Sequence, residues 1–361
     1  MDRGTVVVET IESEALRGNR LGDPHVRRLP VYLPPSYARS DRAFPSIYVL
    51  AGFTGSGEML LNRSAWSENF AERCDRLIAE RRMVESIVVF PDCFTDLGGS
   101  QYLDSSATGR YEEYLVREIV GFVDARYRTV ARPKARAVMG KSSGGYGALV
   151  QGMRHPEVFG VVCCTSGDMY FLYCYLPDFP KAIDAFRRHG GSAASFLEAW
   201  RKMPRRSESR SFQAVNTLAM AACYSPNPKS KLGFDVPFDE KTGLLREDVW
   251  RRWLAWDPIH MLDRHARDLR RLSSLYLDCG NRDEFNLHHG MRIFSAKARR
   301  LGVRHLAEEF DDGHMNILYR WDRSLEVASQ AFRRALGAGA GSGSGKAGQG
   351  AKHSARARRT G

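Results

Sequence analysis

Five short apolar runs recur along the chain between turn-forming residues, at 46–50, 86–90, 136–139, 161–164 and 274–277. None alternates apolar with polar positions, which is the pattern of strands covered on both faces in a parallel sheet. Amphipathic stretches lie between them. Trp66, Phe70, Cys74, Leu77 and Ile78 share one helical face, and Val116, Ile119, Val120, Val123 and Tyr127 share another, with Glu112, Glu113, Arg117 and Asp124 opposite. Alternating strand and helix predicts an α/β architecture on a mostly parallel, doubly wound sheet, with its site at the carboxyl ends of the strands. Residues 5–11 and 27–33 read as further strands, an antiparallel edge.

One connection breaks this rhythm. Between about residues 169 and 270 no strand-like run occurs, although crossover connections are usually far shorter. The segment holds Trp200, Trp250, Trp253 and Trp256 and leaves the carboxyl end of the 161–164 strand. It is expected to form a cap of helices and loops over the site, with several of these tryptophans buried against the core and some of its aromatic surface walling the pocket. The main domain is expected to run over residues 1–336.

The strand at 136–139 leads directly into Gly140-Lys141-Ser142-Ser143-Gly144, and Gly145-Tyr146-Gly147-Ala148-Leu149-Val150 opens a helix after it. A G-x-S-x-G between strand and helix is a nucleophile elbow. The serine sits in a strained turn that lifts its hydroxyl to the strand tip, so the positions two before and two after must be nearly free of side chain. The same turn aims the N–H of Ser143 at a bound carbonyl oxygen. A serine hydroxyl is a poor nucleophile and needs a base, itself oriented by a carboxylate.

In this fold class the chain order is serine, acid, histidine. Among the downstream histidines, His288 and His289 fall at the start of a helix, where exposure is the ordinary state, His305 lies in a strand and His353 near the terminus. His314 follows an alternating strand and the short loop Asp311-Asp312-Gly313, where the last catalytic loop belongs, with Asn316 placed to cap the next helix. For the acid, Asp283 lies beyond Gly280 in the loop after the penultimate strand. Asp168, after Thr165-Ser166-Gly167, competes with it, Asp278 reads as structural and Glu284 is a minor candidate. A second oxyanion donor is expected from the glycine-rich loop Ala51-Gly52-Phe53-Thr54-Gly55-Ser56-Gly57, with the N–H of Phe53 chosen. That loop lacks the spacing of a nucleotide-binding glycine motif.

Charge changes the picture little. The net +12 invites nucleic acid, but five of those charges (Lys346, Lys352, Arg356, Arg358 and Arg359) lie in residues 337–361, where no acid offsets them. That Gly/Ser/Ala-rich stretch has no apolar face to bury and is expected to be a disordered basic tail without a specific nucleic-acid partner. Seven cysteines without a C-x-x-C pair are expected as reduced thiols rather than zinc ligands. The first residues carry no apolar signal core, and no run approaches the ~20 residues of a membrane span. A cytoplasmic protein with no membrane contact is the expectation.

Val138-Met139-Gly140-Lys141-Ser142-Ser143-Gly144-Gly145-Tyr146-Gly147 resembles the elbow of the putative-esterase branch of the α/β-hydrolases, which includes enterochelin esterases, S-formylglutathione hydrolase and the mycolyltransferases. Pro34-Pro35-Ser36-Tyr37, the loop after Leu50, the stretch from Gly280 to Asp283 and Asp312-Gly313-His314 are similar too. The resemblance covers roughly residues 28–335. It implies the α/β-hydrolase fold and hydrolysis of a small-molecule carboxyl ester through an acyl-enzyme, with no metal or cofactor. Carried over by motif, the nucleophile is Ser142, the acid Asp283, the base His314, and the oxyanion donors Phe53 and Ser143. Acyl transfer to an alcohol by the same triad, or a binding protein that keeps the fold without turnover, are the alternatives. Ala51 stands where many lipases have His, and Lys141 where S-formylglutathione hydrolases typically have His. Lys141, Tyr102 and Asp168 are expected around the substrate. Lys141 is expected as a rim charge that draws an anionic group or, with slightly more reason, pairs with Asp168 or Asp92.

Overall fold

The apolar runs become the middle of one eight-stranded sheet. The computed structural model describes residues 2–206 and 211–340. In chain order the strands are β1 (Thr5–Glu12), β2 (Val26–Leu33), β3 (Ser46–Leu50), β4 (Ile87–Val89), β5 (Arg136–Lys141), β6 (Val161–Thr165), β7 (Ser274–Gly280) and β8 (Leu306–Phe310). Their order across the sheet is β1-β2-β4-β3-β5-β6-β7-β8. β1 pairs antiparallel with β2, and β2 antiparallel with β4, which makes the expected antiparallel edge. All other neighbours run parallel.

The missing polar alternation has a direct cause. In β5, Val138 belongs to one buried cluster, while Ala137 and Met139 belong to another on the opposite face. Cys164 and Cys163 divide in the same way, as do Leu277 and Tyr276. Each strand therefore has two apolar faces, each against its own layer of helices. This is the α/β-hydrolase fold.

Helix α1 (Phe70–Ala79) and α11 (Arg320–Ala340) cover one face. Asn69 caps α1 by accepting from Glu72 N at 3.0 Å while Glu72 bonds back to the Asn69 N–H. That cap starts the helix four residues after Trp66, which is 97% exposed and does not join the expected apolar face. α2 (Val120–Arg126) follows a π-helical turn, Tyr114–Ile119. Glu112, expected on its solvent face, is buried because Arg154 and His155 pair with it at 2.9 and 2.6 Å.

α3 (Ser143–Arg154) follows β5 and packs on β5 and β6. After β6 come α4 (Phe171–Cys174), α5 (Phe179–Arg188), α6 (Ala193–Arg201), α7 (Phe212–Tyr224), α8 (Glu247–Leu254) and α9 (Pro258–Leu269). This long insertion is fastened to the sheet layer by an aromatic cluster. Tyr224 of α7 meets Tyr146 of α3, Phe171 of α4 and Trp253 of α8, with ring centroids 5.8, 5.0 and 5.4 Å away. α10 (Leu287–Arg300) joins β7 to β8.

Three terminal expectations change. α11 runs through Ala340, so the first four residues of the expected tail continue a helix, and the rest of that stretch lies outside the described residues. His305 precedes β8 instead of lying in it, and its ring contacts Ser295 Oγ at 2.8 Å. Asn316 adopts a left-handed backbone (φ 59°) four residues before α11 and does not cap it. All seven cysteines are buried and unpaired, and among the described residues no helix is long and apolar enough to cross a membrane.

The insertion closes on itself through Asp257. This side chain is 0% exposed and caps α9 by accepting from Ile259 N at 3.0 Å. It also accepts from Tyr170 N and Phe171 N, at 3.1 and 2.8 Å, where the insertion begins. Asp257→Ala strands these buried donors. We expect a loss of roughly 3 kcal/mol, read as a lower urea midpoint at unchanged slope.

Candidate active site

The turn between β5 and α3 has no room for side chains. A Cβ on Gly140 would sit 2.1 Å from the Gly144 carbonyl oxygen, and one on Gly144 would sit 2.1 Å from that of Leu50. Ser142 at its apex has φ 59° and ψ −129°, a conformation that costs about 1–3 kcal/mol and persists only when its surroundings impose it. Its N–H donates to Thr165 O at 2.9 Å, which ties the strained turn to the end of β6.

His314 reaches Ser142 from the loop after β8, with Nε2 3.0 Å from Oγ. On its other side Nδ1 lies 2.7 Å from Asp283 Oδ2. An ionised carboxylate can only accept, so Nδ1 carries the proton and Nε2 faces the serine hydroxyl as an acceptor. The Asp283 side chain is fully buried, and its Oδ1 accepts from Phe285 N at 2.9 Å, which fixes the carboxylate plane. The Phe285 ring stands edge-on to the imidazole, 4.8 Å between centroids.

Glu284, a minor candidate for the acid, does something else. Its Oε2 accepts from the His314 backbone N–H at 2.6 Å and so clamps the loop instead of the ring. A Cβ on Gly313 would fall 2.7 Å from Glu284 Oε1, so that glycine admits the clamp.

A cavity of about 340 Å³ opens beside Ser142 and is lined by Phe53, Lys141, Ser143, Asp168, Phe212 and His314 among others. The backbone N–H groups of Phe53 and Ser143 make no hydrogen bond among the described residues. Asp168, the competing acid, makes no hydrogen bond to His314 among the described residues. It accepts instead from Tyr175 OH, Gln101 Nε2 and Ser143 Oγ. Burial pushes its carboxyl above the usual range, against the pull of Tyr175 and Gln101.

Lys141 lines the cavity but pairs with neither expected carboxylate. Asp92 is taken by Arg27 at 3.1 Å, and Asp168 is held by neutral donors. Burial pulls the Lys141 ammonium below its ordinary pKa, opposed by the charges of Asp283 and Glu284.

Tyr102, expected in the pocket wall, is buried behind it. Its hydroxyl donates to Ala51 O at 2.6 Å, and its ring packs over Gly147, where a Cβ would come within 2.3 Å. The residue holds the Phe53 loop from below and does not line the cavity. None of the four tryptophans of the insertion lines this cavity either, because Trp250 and Trp253 join the aromatic cluster, Trp200 faces a neighbouring cleft and Trp256 lines another beneath Arg154. Tyr175, Phe212 and Asn216 stand in the wall instead, too far from the elbow in sequence for spacing to reveal them. Met315 and Leu318, also in the wall, follow His314 directly and could have been read from it. His288, expected at the surface, is buried at the start of α10.

A model of the family described as Putative esterase matches residues 23–329. The chain belongs to this esterase family. A 163-residue stretch, 40% of the chain, is 23% identical to the Uncharacterized protein YbbA of Bacillus subtilis (strain 168), and the match spans 58% of that relative's length. Among solved structures, a ferulic acid esterase superposes with a TM-score of 0.60 at 21% identity, over 92% of this chain and 100% of its own. An S-formylglutathione hydrolase from Agrobacterium tumefaciens gives 0.55 at 17%, over 92% and 97%. The fluorophosphonate-binding serine hydrolase FphF of Staphylococcus aureus gives 0.56 at 15%, over 91% and 98%. At these identities the superpositions report the shared fold.

The clamp on the last loop can be tested without a substrate. Glu284→Ala removes the acceptor of the His314 N–H, and hydrogen exchange at that amide should quicken roughly tenfold while global stability changes little.

Proposed function

We propose that the protein is a serine esterase that cleaves a small-molecule carboxyl ester through an acyl-enzyme. The reading rests on one observation, the hydrogen-bond chain from Ser142 through His314 to buried Asp283 at the mouth of a cavity. Ser142 Oγ attacks the ester carbonyl while His314 Nε2 takes its proton. The imidazolium formed is stabilised by Asp283, against which Nδ1–H stays directed. The developing oxyanion is received by the N–H groups of Phe53 and Ser143, both without another acceptor among the described residues. His314 then gives its proton to the departing alkoxide. Water follows the same path in reverse, with His314 as base, and frees the acid and Ser142.

The backbone strain at Ser142 belongs to this mechanism. It presents the hydroxyl to the cavity and turns the Ser143 N–H the same way, so both reach one carbonyl without reorganisation. No step calls for a metal or a cofactor.

Two measurements test the assignment. A fluorophosphonate should label wild-type protein at Ser142, and Ser142→Ala should lose both the label and ester hydrolysis, with kcat falling on the order of 10⁶-fold. Asp283→Asn should lower kcat by roughly 10⁴-fold through the wrong imidazole tautomer, and Asp168→Asn by much less. A reversed order of the two aspartate effects moves the acid to Asp168.

A further inference from the structure

One polar group in the cavity has no part in that mechanism. Asp168 follows β6, is 7% exposed and lines the cavity beside Ser142. Its two oxygens stand in different surroundings. Oδ2 faces three neutral donors, Tyr175 OH at 2.8 Å, Gln101 Nε2 at 3.1 Å and Ser143 Oγ at 3.2 Å. Oδ1 makes no hydrogen bond among the described residues and keeps a little accessible surface, on a side chain that lines the cavity.

The supports of Asp168 are built in. Gln101 Nε2 also lies 2.9 Å from Tyr224 OH, and Tyr175 OH lies 3.3 Å from the same hydroxyl. Gln101 and Tyr102 both take left-handed backbone, φ 50° and 57°, which aims one side chain at Asp168 and the other at the Phe53 loop. A carboxylate held this firmly, drawn from solvent and compensated on one oxygen only, discriminates between ligands. A substrate that covers Oδ1 with a hydrocarbon or an ether oxygen removes its solvent and returns nothing, whereas a hydroxyl restores a hydrogen bond. An ammonium would meet Lys141 in the same cavity, a cation with no ion pair among the described residues.

We propose that Asp168 is a specificity-determining residue whose Oδ1 accepts a hydrogen bond from a hydroxyl of the ester being cleaved, so that the site selects hydroxylated esters over plain and ether-bearing ones. The proposal rests on the serine-esterase reading and adds its substrate class. The hydroxyl can belong to the acid or to the alcohol, and two sets of esters separate these sources.

The acid arm compares the ethyl esters of butyric, 2-hydroxybutyric and 2-methoxybutyric acids. The alcohol arm compares propyl, 2-hydroxyethyl and 2-methoxyethyl butyrate. Hydroxy and methoxy groups activate the carbonyl similarly, so their ratio reports recognition. In one arm the wild-type kcat/KM for the hydroxy ester should exceed that for its methoxy analogue about 10- to 100-fold. In Asp168→Asn the three donors hold the amide oxygen in the place of Oδ2 and turn the NH₂ into the cavity, where it accepts nothing and can donate to an ether. The ratio should then contract by about tenfold or more. A wild-type ratio near one in both arms overturns the proposal. So does a uniform fall on all esters with the ratio intact, since that is what a purely structural Asp168 behind Ser143 and Tyr175 produces. If Asp168→Asn does not fold, as judged by thermal unfolding, the wild-type ratio decides. Fluorophosphonate labelling at Ser142 with hydrolysis of propyl butyrate keeps the two readings apart. Without either, the serine-esterase reading falls and this one with it, whereas with both, a flat ratio overturns only the role of Asp168.

Discussion

The backbone of Gly144 lies so close to the carbonyl of Leu50 that no side chain fits between them. This contact presses the start of α3 against the end of β3, and the candidate site is assembled around it. With α3 seated there, Ser142 has to occupy its left-handed turn, and the Ser143 N–H comes beside the loop that follows β3. The register of the central strands completes the layout. Leu50 pairs with Gly140, Gly140 with Cys164 and Thr165 with Asp278, so the loops that follow these strands emerge along one edge. His314 and Asp283 can meet Ser142 because β7 and β8 continue the same edge.

How far a residue could be read from sequence depended on whether its surroundings were local. The elbow was legible because strand, glycines and serine are contiguous and each is required by the turn itself. His314 and Asp283 were legible as positions because fold order and loop length place them, although what separates Asp283 from Asp168 is the bond from His314 Nδ1 on one side and the donors Tyr175 and, 67 residues away, Gln101 on the other. Glu112 was misplaced on a solvent face because its partners, Arg154 and His155, lie some forty residues away. Tyr102 was misplaced for a similar reason. Its backbone conformation turns it under the Phe53 loop, and nothing in the adjacent sequence announces a left-handed pair at Gln101 and Tyr102.

The long insertion shows the same limit on a larger scale. Its length and aromatic content pointed to a cap with some rings buried and others at the pocket, and while Trp250 and Trp253 are buried, the rings it lends to the cavity wall are those of Tyr175 and Phe212, which the sequence did not single out. Apolar content fixes how much must be buried, not which rings turn toward the site. The neighbouring cleft makes the point, since Phe53 and Phe212 serve both spaces and divide them.

Tyr146 links the insertion to the helix that follows the elbow in a way that bears on motion. It lies on α3, three residues beyond Ser143, and its hydroxyl donates to Trp256 O at 3.0 Å while its ring packs against Phe171 and Tyr224. Swinging the insertion away as a hinged lid would pull on the helix that carries the elbow and tear open one shared core. Under the proposed function, access to Ser142 runs through the standing mouth of the cavity, past the exposed Met315 and Leu318, and discrimination among esters falls to fixed shape and fixed dipoles instead of to closure.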